Sequence, residues 1–216
     1  MQFQWVKQTS ADSLIIFYTG WGMQPNSIVL ETARNDLLVF YDYTVSEVPD
    51  ELLKTIKKYK TIFVVAWSLG VVAALLHRGT YQTDQVIAIN GSILPIDDAY
   101  GISTGVYQGT YDNLDISNLN KFYRRMFTCS EHYAKFHKIQ TISEIDKLKQ
   151  ELISIKEFSK EIKIEDNKYF TKVFISKKDK IFPYNNLLLL WDSPIVLDNS
   201  HYPFFDYQSW DQLLDA

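Results

Sequence analysis

The chain has 216 residues, 46% of them hydrophobic and 22% charged, so it can bury a sizeable core, which excludes global disorder. Its length fits one domain of moderate size with room for an insertion. The formal net charge of −4 argues against a nucleic-acid partner, since general binding to phosphate backbones needs a basic surface. The most apolar stretch, residues 62–76, is shorter than the roughly 20 residues of a membrane span, so we expect no membrane partner.

The single cysteine, Cys129, excludes an internal disulfide and favours a reducing compartment. A secretory signal places a long apolar segment after a basic one, and the opening MQFQWVKQTSADS lacks this pattern. The sequence therefore predicts a cytoplasmic protein, which we expect to be a monomer. No role for the cysteine follows from the sequence.

Short, continuously apolar runs alternate with helix-like segments, and such runs are typical of strands covered on both faces. The alternation predicts an α/β fold with a mostly parallel central sheet flanked by helices and with sites at the carboxyl ends of strands. The N-terminal QFQWV is predicted to add an antiparallel edge strand. The other predicted strands are residues 13–19, 36–42, 61–67, 85–91, 171–176 and 194–198. The predicted crossover helices are residues 48–59, 69–78, 184–191 and 204–215.

Residues 97–168 interrupt this alternation because they contain no convincing strand. Three helical segments are predicted there, at residues 114–127, 130–138 and 143–163. An insertion of this size between core strands usually covers a site. We therefore predict a helical lid between two parts of the core, residues 1–96 and 169–216. The alternative is a helical excursion that packs on the flank of the sheet.

Ser68 ends the apolar run TIFVVAW and stands in the sequence AWSLG, residues 66–70. This resembles the G-x-S-x-G pattern, in which a nucleophilic serine lies on a sharp turn from strand to helix. Small residues are expected two positions before and after the serine, because larger side chains there would collide with each other. Ala66 replaces the first glycine of the pattern. The alternative is that Ser68 only caps the following helix.

A serine hydroxyl needs a general base, and His201 is the candidate. It follows the predicted strand PIVLD on a short loop, whereas His77 lies too far along the helix after Ser68. His132 and His137 are five residues apart, which does not suit a helical metal pair, and no metal site is predicted. The alternative for His201 is an ordinary histidine on a surface loop.

The orienting carboxylate is expected after the preceding strand, which points to Asp179 in KKDKIFP. Its flanking lysines leave a solvated loop as the alternative, and Asp198 is the substitute candidate. An oxyanion hole needs two backbone N–H groups. We expect one from Leu69, directly after the serine, and one from Trp21 in the loop GWGMQP. The alternative for this loop is a turn with a packed tryptophan.

Four separated segments, YTGWGMQP, AWSLG, KKDKIFP and SHYPFF, resemble the α/β-hydrolase superfamily in order and spacing. The GWG loop, WSLG and FYRRMF resemble, more narrowly, the pimeloyl-acyl-carrier-protein methyl ester esterases of BioG type. The resemblance implies a carboxylesterase that releases methanol from a carrier-bound pimeloyl methyl ester during biotin synthesis. It implies Ser68 as nucleophile, His201 as base, Asp179 as orienting acid and the N–H groups of Trp21 and Leu69 as oxyanion donors, with no cofactor.

An acyl carrier protein is acidic, so a basic docking face is expected. Residues 121–138 contain five basic residues against the single acid Glu131. Arg124 and Arg125 are the candidates for substrate or carrier binding, and solvated helix charges are the alternative. Two other functions stay open from the residues, namely a serine hydrolase for a free small ester or acyl thioester, and a non-catalytic binding protein.

Overall fold

Seven strands form one sheet in the computed structural model, which describes all 216 residues. In chain order they are β1 (Gln2–Lys7), β2 (Ser13–Tyr18), β3 (Asp36–Tyr41), β4 (Thr61–Trp67), β5 (Gln85–Ile89), β6 (Lys172–Ser176) and β7 (Ile195–Leu197). Their order across the sheet is β1-β3-β2-β4-β5-β6-β7. Only β1 is antiparallel to its neighbour, so the mostly parallel sheet with an antiparallel N-terminal edge strand is confirmed.

The central strands are buried because they are apolar at consecutive positions. Residues 14–18 in β2 and 64–67 in β4 are all buried, as in strands with both faces covered. At the edge of the sheet, β1 alternates between exposed and half-buried residues. Parallel pairing brings the carboxyl ends of β2 and β4 side by side, with Tyr18 next to Ala66. The loops that follow these two strands therefore start from the same edge of the sheet.

The core helices agree with the prediction except near the C-terminus. The predicted helix over residues 204–215 is wrong in its first half, where residues 204–206 form only a 3₁₀ turn. The helix starts at Trp210 because the Ser209 side chain caps it, accepting a hydrogen bond from the Gln212 N–H at 3.1 Å. The four core helices are α1 (Asp50–Ile56), α2 (Gly70–Leu76), α7 (Tyr184–Leu190) and α8 (Trp210–Asp215).

No strand lies between β5 and β6, as predicted, and four helices occupy this insertion: α3 (Thr104–Asp112), α4 (Ile116–Arg125), α5 (Ser130–Ile139) and α6 (Ile145–Phe158). The predicted helix over residues 143–163 ends early and continues as a 3₁₀ turn. Helix α3 was not predicted, since Gly105 and Gly109 lower its helix propensity. Tertiary packing holds it, because the buried Tyr107 donates its hydroxyl to the Leu152 carbonyl oxygen at 2.8 Å.

The insertion lies over the carboxyl edge of the sheet. Helix α6 packs against α2 and also reaches the loop after β2, where the Leu148 carbonyl oxygen accepts the indole N–H of Trp21 at 2.9 Å. The helices of the insertion and the sheet share one continuous hydrophobic core. None of the helices combines the length and the apolar character that crossing a membrane requires.

Candidate active site

Ser68 lies on a strained turn between β4 and α2. Its φ of +58° falls in the left-handed region, which a serine rarely adopts. The predicted sharp turn from strand to helix is therefore confirmed. The alternative, in which Ser68 caps α2, is wrong, because Leu69 is the N-cap residue and no side chain caps this helix.

Gly70 is required by the neighbouring strand β2. A Cβ at this position would lie 2.3 Å from the carbonyl oxygen of Thr19 and 2.5 Å from that of Tyr18. The collision predicted for a larger residue here was with position 66, but the nearest atoms belong to the backbone at the end of β2. The small residue after the serine thus lets α2 begin directly against the end of β2 and the start of the loop that follows it.

A continuous chain of hydrogen bonds joins Ser68, His201 and Asp179. The Nε2 atom of His201 lies 3.0 Å from Ser68 Oγ, and its Nδ1 atom lies 2.7 Å from Asp179 Oδ2. Because an ionised carboxylate only accepts, Nδ1 carries the ring proton and Nε2 can accept from the serine hydroxyl. The structure therefore brings the three predicted side chains together, and all three are buried.

Asp179 is buried although lysines flank it in the sequence, so the solvated-loop alternative is wrong. Its second oxygen, Oδ1, accepts the backbone N–H groups two and three residues ahead, at 2.7 and 3.0 Å. These bonds fix the carboxylate toward the imidazole ring. The substitute candidate, Asp198, pairs with Lys178 at 2.8 Å on the surface, and it is not the partner of His201.

Two side chains that the sequence analysis missed hold the loop of His201. The Trp67 indole N–H donates to the His201 carbonyl oxygen at 2.9 Å. The amide of Asn90 donates to the carbonyl oxygens of Ser200 and His201 at 3.1 and 3.0 Å, while its oxygen accepts the Ser176 N–H at 2.7 Å. A polar residue directly after a buried strand was the available signal for Asn90.

Trp21 and Leu69, the predicted backbone donors, line the same pocket as Ser68. Both residues are buried, and neither of their backbone N–H groups donates to another protein atom. An unpaired buried N–H is uncommon, so both groups are available to an oxygen of a ligand. The loop turns sharply at Gly22, whose φ of +69° favours glycine.

The pocket beside Ser68 is apolar and small, with an open volume of ≈30 Å³, enough for about one or two water molecules. Residues of three helices of the insertion, α3, α4 and α6, form part of its walls. A more open hollow of ≈940 Å³ lies at the opposite, amino-terminal edge of the sheet. Since ligands of open parallel sheets bind at the carboxyl edge, we assign function to the smaller pocket. Besides Ser68 its walls include Trp21, Leu69, Tyr107, Phe122, Arg125 and Leu152.

The structure separates the two arginines at the end of α4. Arg125 lines the mouth of the pocket and donates to the Lys180 carbonyl oxygen at 2.8 Å. Arg124 turns away, donates to the Phe127 carbonyl oxygen at 3.2 Å and lies over the ring of Tyr133. Only Arg125 reaches the pocket.

The remaining histidines take part in packing away from this pocket. His77 is buried and hydrogen-bonds the Tyr18 hydroxyl at 2.8 Å, and desolvation lowers its pKa. His132 and His137 pack edge-on against aromatic rings. The sulfur of Cys129 accepts the backbone N–H of His132. No group of three or more His, Cys, Asp or Glu side chains lies close enough to hold a metal ion.

Comparisons with known proteins bear on the family and the fold of this chain. The model of a family described as pimeloyl-ACP methyl esterase BioG matches residues 1–213. The crystal structure of BioG from Haemophilus influenzae is similar with a TM-score of 0.87 and 26% identity, over 98% of both chains. An esterase from Exiguobacterium antarcticum shares the fold with a TM-score of 0.69 at 14% identity, over 94% of this chain and 89% of that one. The fold is that of the α/β-hydrolases.

A curated relative is longer than this chain. The chain is 36% identical over 180 residues to a malonyl-[acyl-carrier protein] O-methyltransferase from Bacteroides fragilis. The match covers 82% of this chain and 36% of that protein, so the chain spans about a third of that relative's length. Because the family model matches nearly the whole chain, the chain belongs to the BioG family of pimeloyl-ACP methyl esterases.

Proposed function

We propose that this chain is a serine esterase that hydrolyses the methyl ester of a pimeloyl chain carried on acyl carrier protein, releasing methanol, in biotin synthesis. The observation that carries this proposal is the hydrogen-bonded chain from Asp179 through His201 to Ser68 in an apolar pocket. The description of the family supports the choice of substrate.

Ser68 is the nucleophile in this proposal. As its Oγ attacks the ester carbonyl carbon, His201 Nε2 takes the hydroxyl proton, and Asp179 stabilises the imidazolium that forms. The carbonyl oxygen becomes an oxyanion and accepts the N–H groups of Trp21 and Leu69. Each such donor typically contributes about 10²–10³ in rate.

Collapse of the intermediate breaks the bond to the methoxy oxygen. His201 gives its proton to this oxygen, and methanol leaves an acylated Ser68. A water molecule then gives a proton to His201 Nε2 and attacks the acyl carbon. When this second intermediate collapses, His201 returns the proton to Ser68 Oγ, and the acyl chain leaves with a free carboxyl group at its end.

In this proposal the bound acyl chain extends out of the pocket between α3 and α4, followed by the arm that joins it to the carrier protein. Phe122, Thr110 and Arg125 line both the pocket and a groove of ≈550 Å³ that continues outward between these helices. The apolar walls of the pocket suit the methylene groups of the acyl chain, for which the pocket has to widen, whereas Lys121 and Arg125 in the groove suit a phosphate. The short contact between Arg125 and the Lys180 carbonyl oxygen has to open for this role.

The basic segment, residues 121–138, is the proposed docking face for the acidic carrier. Its five basic side chains, Lys121, Arg124, Arg125, Lys135 and Lys138, lie on exposed residues. None of them forms an ion pair with a carboxylate of this chain. Unpaired charges of one sign favour association with an acidic partner. We therefore propose that Arg125 binds the arm that joins the acyl chain to the carrier, and that Arg124 binds the acidic surface of the carrier itself.

The test compares steady-state hydrolysis of methyl pimeloyl-acyl carrier protein with that of free dimethyl pimelate. We expect kcat/KM to be orders of magnitude higher for the carrier-linked ester, and Ser68→Ala to abolish both activities and labelling by a fluorophosphonate. The reverse preference would contradict the carrier as partner and favour a hydrolase of free esters. A wild-type protein that is neither active nor labelled would contradict the esterase itself.

A further inference from the structure

Glu151 on α6 is a buried carboxyl group without a positive partner. Only 4% of it is exposed, and the groups that affect its ionisation include no lysine, arginine or histidine. Its two oxygens each accept a backbone N–H, Oε2 from Gly22 at 3.2 Å and Oε1 from Tyr43 at 3.2 Å. Burying a carboxyl group without a cation is costly, so its presence at this place needs a reason.

The loop that Glu151 contacts is the one that carries the Trp21 N–H. Other residues of the insertion hold the same loop, since Leu148 accepts the Trp21 indole N–H at 2.9 Å. The Tyr123 hydroxyl and the Gln140 amide donate to the Gly22 carbonyl oxygen at 3.3 and 3.0 Å. A Cβ on Gly22 would lie 3.0 Å from Leu148 Cδ2, so α6 lies directly against the loop.

The carbonyl oxygen of Gly22 therefore accepts from two donors, whereas the N–H of Gly22 has a single acceptor, the carboxyl group of Glu151. Loss of that acceptor removes the one bond on this N–H, so the peptide between Trp21 and Gly22 tilts more easily, because the glycine has no side chain to hold it. The other oxygen of Glu151 ties the same point to Tyr43, just after β3. One side chain of the insertion thus fixes two loops at the carboxyl edge of the sheet.

We propose that Glu151 is a positioning residue, which holds the Gly22 N–H so that the preceding Trp21 N–H points at the oxyanion. The inference rests on the proposed function, because it takes the Trp21 N–H as an oxyanion donor. Glu151 acts through the loop and does not contact the substrate.

The charge of Glu151 decides how firmly it holds the loop. Desolvation, with a smaller contribution from Asp42, raises its pKa to about 8, while the two N–H bonds lower it. The other titratable groups that face it are the buried hydroxyls of Tyr43, Tyr107 and Tyr123. An ionised carboxylate accepts at both oxygens, whereas the neutral acid has one hydroxyl that donates. The loop is therefore held more firmly as the pH rises through about 8.

The experiment measures hydrolysis of p-nitrophenyl acetate, which needs Ser68 but no carrier, by wild type, Glu151→Gln and Glu157→Gln. Glu157 is exposed on the same helix, so its variant makes the same change of side chain without touching the loop. At pH 9, where Glu151 is ionised, we expect Glu151→Gln to lower kcat about 10–100-fold with KM within about twofold, and Glu157→Gln to match wild type. The ratio of wild-type to Glu151→Gln kcat should rise from pH 7 to pH 9, because only wild type gains the carboxylate.

A wild-type kcat and pH profile in Glu151→Gln would overturn the inference and leave the serine esterase intact. A kcat loss that is equal at every pH would also overturn it, since it indicates a structural role alone. No Ser68-dependent hydrolysis by wild type would overturn the proposed function and, with it, this inference.

If Glu151→Gln does not fold, amide hydrogen exchange in the wild-type protein provides the test. Protection of the Gly22 and Tyr43 N–H groups should rise together from pH 7 to pH 9, and unchanged protection would contradict the proposal.

Discussion

The Trp67 indole donates a hydrogen bond of 2.9 Å to the carbonyl oxygen of His201, and the two rings pack with their centroids 5.3 Å apart. The residue before Ser68 thus holds the loop of the proposed base. Trp67→Phe keeps an aromatic ring but removes one donor from a buried carbonyl. We expect the free energy of unfolding in urea to fall by about 1–2 kcal/mol.

The same variant should lower kcat about tenfold, because His201 is held less precisely. Steady-state kinetics measures this effect. Trp5→Phe, on the half-buried edge strand β1, is the control and should keep kcat. Equal kcat values in Trp67→Phe and wild type would contradict a positioning effect on His201.

Two aspartates near His201 in sequence should differ sharply in effect. Asp179→Asn presents an amide to Nδ1 and favours the wrong tautomer, so we expect kcat to fall about 10⁴-fold with the fold retained. Asp198→Asn removes only an exposed pair with Lys178 and should stay within about twofold of wild type. Single-turnover kinetics measures both variants. Comparable losses in the two would exclude Asp179 as the orienting acid.

Gly70 and Gly109 should respond in opposite directions to alanine. At Gly70 the new Cβ would lie 2.3 Å from the Thr19 carbonyl oxygen, so we expect a loss of more than about 3 kcal/mol or failure to fold. At Gly109, within α3, a Cβ meets no atom within 4 Å, and the gain in helix propensity is about 0.5–1 kcal/mol. Thermal unfolding checks the pair, and a Gly70→Ala protein as stable as wild type would rule out the close approach of α2 to β2.

Charge reversal at the two arginines should distinguish binding of the carrier's arm from binding of the carrier's surface. Arg125→Glu at the mouth of the pocket should raise KM for the carrier-linked ester about tenfold or more. Arg124→Glu, which lies over Tyr133, should have a smaller effect that disappears at high salt. Neither should alter hydrolysis of dimethyl pimelate by more than about twofold. An equal loss on the free ester would place Arg125 in the chemistry instead of in carrier binding.

The stability of the protein should depend on pH through Glu151. Burial raises its pKa from the ordinary 4.5 to about 8, so between these values the folded state binds the proton and the unfolded state does not. Stability from this group therefore falls as pH rises from about 4.5 to 8 and is constant above. Glu151→Gln should remove this dependence. Urea unfolding at pH 5, 6.5 and 8 measures the free energy of unfolding of wild type and of Glu151→Gln. If this free energy changed with pH equally in the two proteins, the prediction would be refuted.

The amino-acid sequence determined the elements whose pattern is local. The continuously apolar runs predicted β2 to β6, and the spacing of AWSLG predicted the turn at Ser68, because strand burial and turn strain depend on neighbouring residues. Chain order, together with positions after predicted strands, pointed to His201 and Asp179 as candidates, and it left Asp198 open as a substitute that only the hydrogen bond from His201 to Asp179 set aside. The family resemblance was confirmed as well. Helix α3 was missed, since its glycines give no local signal for the packing of Tyr107.

Only the tertiary structure decided which side chains support the site. The bonds from Trp67 and Asn90 to the His201 loop join residues more than a hundred positions apart, and no local pattern encodes such pairs. Arg124 and Arg125 are neighbours in sequence, yet a helix rotates consecutive side chains by about 100°, so one reaches the pocket and the other does not. In the sequence Glu151 is one of several charged residues on a predicted helix, whereas in the fold it is buried and accepts the Gly22 N–H. Burial and long-range hydrogen bonding depend on the whole fold, which is why these roles were invisible in the sequence.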